Sequence, residues 1–168
     1  MRNRRVIICS SSPPVTPIAT TKVIGNAPAD FTWNDSIPSN YIIGQKFCAL
    51  STESINGLLV YVTGPSNVRA AIFANNAGAP GVVLAQSGSV ACTIGSNRLP
   101  LGSTVNLQSG VFYWLMVNCD TDYVVLRSKL GTSSIVYVAS AYGAFMDNPA
   151  GLGTVANREL QICNWFFL

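Results

Sequence analysis

The groups in this chain that could do chemistry are seven carboxylates and five thiols, with no imidazole among them. The carboxylates are Asp30, Asp35, Glu53, Asp120, Asp122, Asp147 and Glu159. Without histidine, serine–histidine–aspartate and cysteine–histidine catalysis are ruled out, and so is every imidazole-ligated metal centre. The sequence has no phosphate-cradling glycine loop, no nucleophile elbow and no dinucleotide fingerprint. Glycoside hydrolysis would need only two of these acids. Asp120 and Asp122 flank a turn in Asn118-Cys-Asp-Thr-Asp122. There they would either ligate Ca²⁺ or bond the turn's own backbone, and the second is expected. No catalytic residue, metal or cofactor is assigned.

Cys9, Cys48, Cys92, Cys119 and Cys163 lie too far apart for paired zinc ligands. They read as small buried hydrophobes. Otherwise they cross-link, and the odd count leaves Cys9 for a bridge between molecules.

Two clusters suit recognition better than reaction. Phe31 and Trp33 with Asn34 and Asp35, and Tyr142 with Phe145, Asp147 and Asn148, set aromatic rings beside amides and carboxylates. That combination fits a glycan platform, but rings that fill a core or an intersubunit seam are the expected reading. Arg2, Arg4 and Arg5 supply three of the ten basic residues, and the other seven balance the seven acids, so the net charge of +3 belongs to the first five residues. A basic arm of this kind suits an acidic surface, whether nucleic acid, phosphate or a carboxylate-rich protein face. Three phosphate contacts are too few for tight nucleic-acid binding, and the body has no basic stripe.

The elements that must position these groups are strands. Residues 1–29 read as an extended N-terminal arm, because Pro13, Pro14 and Pro17 exclude helix and central strand. Residues 30–168 read as one domain of short strands, rich in Val, Ile, Tyr and Phe and bounded by Gly, Pro, Asn and Ser. The expected strands are Tyr41–Leu50, Ile55–Val62, Val68–Phe73, Val82–Ala85, Val90–Ile94, Val111–Asn118, Tyr123–Arg127, Ile135–Ala139 and Leu160–Leu168. Asn56-Gly57 reads as a bend, and Asn75 to Gly81 as a turn. No window carries a helical period, so the predicted fold class is all-β, a jelly-roll-like antiparallel β-sandwich.

Strand Val111–Asn118 is apolar on both faces, Tyr113, Leu115 and Val117 alternating with Phe112, Trp114 and Met116. A strand of that kind is covered on both sides or lies at a subunit interface. For the apolar C-terminus, Trp165, Phe166 and Phe167 are expected to pack between subunits. With 49% hydrophobic and 10% charged residues, the exterior carries few ions. Ordinary domains carry roughly a quarter charged residues. Self-association is therefore expected, a trimer being one closed form. Val6 to Cys9 is shorter than the ~7–15 apolar residues of a leader peptide, and the run Val111–Val117 is far shorter than the ~20 residues of a membrane helix. Synthesis in a cytoplasm without export and without a membrane partner is the expectation.

Three stretches, Gln45–Val62, Asn67–Ala85 and Leu107–Asn118, carry a resemblance. The segment Val68-Arg-Ala-Ala-Ile-Phe-Ala-Asn-Asn-Ala-Gly-Ala-Pro-Gly81 leads to Leu107-Gln-Ser-Gly-Val-Phe-Tyr-Trp-Leu-Met-Val117. Together they resemble a jelly-roll module of bacteriophage structural proteins and secreted bacterial multidomain proteins. Phe73 stands where the module often has Tyr, and Asn75 where it often has Asp. The resemblance covers about residues 41–142. It implies a non-enzymatic virion protein, such as a capsid decoration protein or a tail component, partnered by its own copies and by a capsid or tail protein. In that role Arg2, Arg4, Arg5, Cys9, Pro13 and Pro14 would anchor the arm. The alternatives are a glycan-binding module or adhesin using Trp33, Asp35, Tyr142 and Phe145, and a filament subunit joined by strand addition.

Overall fold

The computed structural model describes residues 24–25, 33–122, 124–143, 145–160 and 162–165, with residues 33–37, 124–132, 158–159 and 163–165 described by backbone alone. The described residues form eleven strands: β1 (Trp33–Ile37), β2 (Tyr41–Cys48), β3 (Glu53–Val62), β4 (Ser66–Asn76), β5 (Ala79–Gln86), β6 (Val90–Cys92), β7 (Gly95–Leu107), β8 (Phe112–Cys119), β9 (Val124–Ala139), β10 (Gly153–Leu160) and β11 (Ile162–Trp165). All pairings between these strands are antiparallel. The protein is all-β, with antiparallel layers packed together.

The hydrogen-bonded path runs β11-β3-β9-β2-β8-β4-β5, with β7 on β3, β6 on β4, and β1 and β10 on β9. It folds back where β3 meets β9 at a single pair, Val62 with Leu126. One layer is β9-β2-β8-β4-β5 and the other is β7-β3-β11. On the far side the lone bridge Ser87–Leu101 brings β5 against β7. Between the layers lies the main core, to which β2 gives Ile43, β3 Ile55, Leu58 and Val60, β4 Val68 and Ile72, and β8 Leu115 and Val117. Ile24, from the stretch read as arm, is fully buried in the same core.

Period two explains the second core. The alternate residues of the larger layer, Ile42, Ala71, Phe73, Trp114, Met116, Val136 and Val138, form an apolar cluster on its outer face. Phe145 and Leu152, from the segment joining β9 to β10, pack onto it. The double-faced strand β8 is therefore central and covered on both sides. Burying a large side chain such as Phe73 stabilises the fold by roughly 1.5–3 kcal/mol.

Several boundaries differ from the sequence reading. The Asn75–Gly81 turn contracts to Ala77-Gly78, both at positive φ (48° and 90°), with Asn76 paired to Ala79. This is a two-residue hairpin with the left-handed centre that matches strand twist. The Asn56-Gly57 bend is a β-bulge inside β3, where the register to β7 shifts between Ile55 and Gly57. Of the two expected strands Tyr123–Arg127 and Ile135–Ala139, residues 124–127 and 135–139 belong to one 16-residue strand, β9, whose polar middle is held by β10, and Tyr123 lies outside the described residues. Of the expected C-terminal strand Leu160–Leu168, Leu160 ends β10 against β9 and Ile162–Trp165 form β11 against β3, while residues 161 and 166–168 lie outside the described residues. Strand β7 was not foreseen, since Pro100 and Gly102 interrupt it; among the described residues its ladder is with β3, apart from the single bridge from Leu101 to Ser87, and such an edge position tolerates proline.

Candidate functional site

Two places gather functional side chains: a strap across the outer face, and a tip at one end of the sandwich.

The strap is the segment from Ser140 to Leu152. Arg69, on the outer face of β4, donates from Nη1 to the carbonyl oxygen of Gly143 at 2.8 Å and from Nη2 to that of Ser87 at 3.4 Å. Asn118, fully buried on β8, accepts from the Gly143 N–H at 3.0 Å and donates from Nδ2 to the Tyr41 carbonyl. Ser89 and Tyr142 share a hydroxyl–hydroxyl bond of 2.6 Å. Further along, the Phe145 ring meets Phe73 edge-on, at 6.0 Å between centroids and 69° between planes. Asp147 then accepts the Val83 N–H at 2.7 Å, and the Asn148 N–H donates to the Gly81 carbonyl at 2.8 Å. The strap thus occupies two backbone positions of β5, the last strand of its layer, as a paired strand would. Covering an edge in this way blocks unwanted pairing.

Beside the strap a shallow cleft of about 460 Å³ opens between β5 and β7, lined by Val83 to Gln86, Gly102, Ser103, Phe145 and Asp147. Of the residues expected in a glycan platform, Phe145 lines this cleft, while Tyr142 is held against Ser89. Trp33 and Asp35 lie in β1, paired with Ser128 and Leu126 of β9.

The tip is formed by the β2–β3 loop (residues 49–52) and the β7–β8 loop (residues 108–111). Ala49 N–H donates to the Val111 carbonyl and Gly110 N–H to the Ala49 carbonyl, each at 2.9 Å. Ser109 N–H donates to Thr52 Oγ1 at 3.1 Å, and Ser109 Oγ to the Leu50 carbonyl at 3.3 Å. The Gln108 N–H donates to the Tyr113 hydroxyl beneath. Loops welded in this way hold their side chains in fixed places. They present Leu50 and Val111, beside Phe112 at the start of β8; the three are 62%, 39% and 47% exposed. Lys46 on β2 arches over two rings, its Nζ 5.3 Å from the Phe112 centroid and 5.9 Å from that of Trp114. On the other layer a cleft of about 520 Å³ is lined by Thr52, Glu53, Ser54, Asn106 and Leu107. Sequence reasoning placed Phe112 on a strand face but missed the tip. The available signal was Leu50 standing alone before the polar run Ser-Thr-Glu-Ser.

The paired aspartates bind loops together. Asp120 accepts from Ser66 Oγ, the Asn67 N–H, Asn67 Nδ2 and Thr121 Oγ1 at 2.7–3.0 Å. Asp122 accepts from the Ser39 N–H and Oγ. The backbone they serve is that of neighbouring turns, not chiefly their own, because the β3–β4 and β1–β2 turns lie beside them. Desolvation opposes ionisation of Asp120, yet the bonds from Asn67, Thr121 and Ser66 outweigh it and hold its carboxyl below the usual range. The bonds from Ser39 do the same for Asp122. No group of three or more metal-ligating side chains forms among the described residues.

Cys92 and Cys119 are buried free thiols whose pKa values burial pushes up to about 11. They lie on β6 and β8, on opposite sides of β4, where Val68 pairs with both Val90 and Cys119. Two strand spacings, roughly 9–10 Å, separate such positions, too far for a disulfide. Cys48 is free and half-buried.

At the C-terminus, Ile162 is buried and the Trp165 backbone pairs with Gly57 of β3. Arg2, Arg4, Arg5, Cys9, Pro13, Pro14, Phe166 and Phe167 lie outside the described residues, as does the side chain of Trp165. Comparison with family models, curated proteins and solved structures finds no match to this chain.

Proposed function

We propose that this chain is a non-enzymatic structural protein of a virus particle, a jelly-roll-like capsid decoration or tail component that works through subunit contacts. The observation that carries the reading is the tip. Three large apolar side chains stand exposed, Leu50 and Val111 on hydrogen-bonded loops and Phe112 at the start of β8, on a chain with only 10% charged residues. Patches of this kind mark protein contacts. The reactive groups support the same view: Asp120 and Asp122 hold turns, Asp147 guards an edge, and Cys92 and Cys119 are protonated core residues. The phage setting comes from the resemblance of residues 41–142, and the arm would supply a second contact. Analytical ultracentrifugation of the full chain and of one lacking residues 1–20 tests it. Assemblies that dissolve when the arm is removed support the reading, and a full chain that is monomeric at every concentration ends it.

The cleft beside the strap favours one second reading. Phe145, Asp147, Gln86 and Ser103 line a shallow groove that joins an aromatic ring to carboxylate, amide and hydroxyl groups, which suits a sugar. Glycan-array binding lost in Gln86→Ala would favour a glycan-binding module. An array without signal leaves the structural reading in possession.

A further inference from the structure

We infer that the tip is a self-complementary docking face whose occupant is the tip of a second copy of this chain. The inference rests on the reading of the chain as a self-associating protein and gives that reading a surface. Its apolar centre is Leu50, Val111 and Phe112. One basic and one acidic residue flank this centre from different layers. Lys46 stands on the β2–β8 side, over the Phe112 ring. Glu53, the first residue of β3, stands exposed on the β3–β7 side. Neither makes an ion pair among the described residues.

A patch with an apolar centre and opposite charges at opposite margins is complementary to itself under a two-fold axis. Rotation by half a turn sets Lys46 of each copy against Glu53 of the other, and the apolar side chains against one another. That is the isologous arrangement, in which every contact occurs twice. A lipid surface fits less well, because an anionic headgroup layer would repel Glu53 as it drew Lys46. The ring under Lys46 holds the ammonium at the surface, so the charge is in place before the partner arrives. The small area predicts a weak, concentration-dependent pair.

The test uses charge reversal in the full chain, with thermal unfolding of each variant as the fold control. Sedimentation velocity from micromolar to near-millimolar concentration should show wild type moving from monomer to dimer, and Phe112→Ser remaining monomeric. Lys46→Glu alone and Glu53→Lys alone should each weaken the dimer by about tenfold or more, since each places like charges together twice. The double variant, Lys46→Glu with Glu53→Lys, should regain most of the wild-type affinity. Should Phe112→Ser fail to fold, the charge series still decides. A double variant no better than its worse parent overturns the inference. So does a monomer at all concentrations, or a monomer that sediments with phosphatidylserine vesicles. Removal of residues 1–20 leaves the tip intact, so an arm-dependent assembly insensitive to the tip variants would retain the structural role and reject this surface. A tip dimer whose chain forms no larger assembly would do the reverse.

Discussion

Arg69 and Gly143 meet through a 2.8 Å hydrogen bond from guanidinium to carbonyl, which fixes the strap to the outer face of the sheet. The Arg69 Nε is buried without a hydrogen-bond partner among the described residues, so the cation is held by carbonyl dipoles of Gly143 and Ser87. Replacing it by Met keeps the stem and removes the charge-assisted bonds, at a cost of about 1.5–3 kcal/mol. Amides of residues 141–152 should then exchange with solvent faster in Arg69→Met, measured by mass spectrometry. Unchanged exchange there would mean that Phe145 and Leu152 hold the strap unaided.

Asp120 makes stability depend on acid. Its folded pKa lies below the unfolded value of about 3.9. The contribution is therefore present above that value and disappears as pH falls through the folded one. Urea unfolding of Asp120→Asn should show a smaller loss of stability below pH ~4 than wild type. Near neutrality the deficit should be within about 1 kcal/mol, because the carboxylate is solvent-screened. Parallel pH profiles for the two proteins would assign the acid sensitivity to other groups.

Ala77 sits at φ 48° in the β4–β5 turn, a conformation that costs an L-residue roughly 1–2 kcal/mol. Asparagine tolerates it, and Asn-Gly is the favoured pair for this hairpin. Ala77→Asn should therefore raise stability by about 0.5–1 kcal/mol, seen as a higher urea midpoint at unchanged slope. A lower midpoint would show that the turn is not of this type in solution.

Gly44, in the middle of β2, leaves room for β8. A Cβ there would collide with the Leu115 carbonyl oxygen and with Met116 Sδ. Gly44→Ala should destabilise by about 1–3 kcal/mol through overpacking. Adding Met116→Ala should not restore stability, because the backbone collision persists; full recovery in the double variant would place the fault in the side chain alone.

Much of the fold was legible in the residues. Alternation in Val111–Val117 located a strand with two apolar faces, and the outer cluster of Trp114 and Met116 beneath Phe145 shows why both are apolar. The turn between β4 and β5 was visible in Asn75 to Gly81, though its contraction to a two-residue hairpin at Ala77-Gly78 was not. Strand β7 was hidden because its structure depends on its partner: β3 supplies the ladder that Pro100 and Gly102 could not specify. Gln45 was equally opaque. It is buried in β2 and accepts the Leu160 N–H at 2.8 Å, a bond across 115 residues that no local pattern encodes. The tip escaped notice for a different reason. Its residues are ordinary in type and gain meaning only when the 49–52 and 108–111 loops are brought side by side.

Strand β9 takes partners from distant stretches of chain: β1 near residue 35, β2 near 43, and β10 near 156. Such a spine cannot form from neighbours alone, so loop closure must precede most of the ladder, and folding should be slow for a domain of this size. During that wait the double-faced strand β8 is bare on both sides. A nascent chain in this condition would need dilution, a chaperone or an early companion to escape clumping.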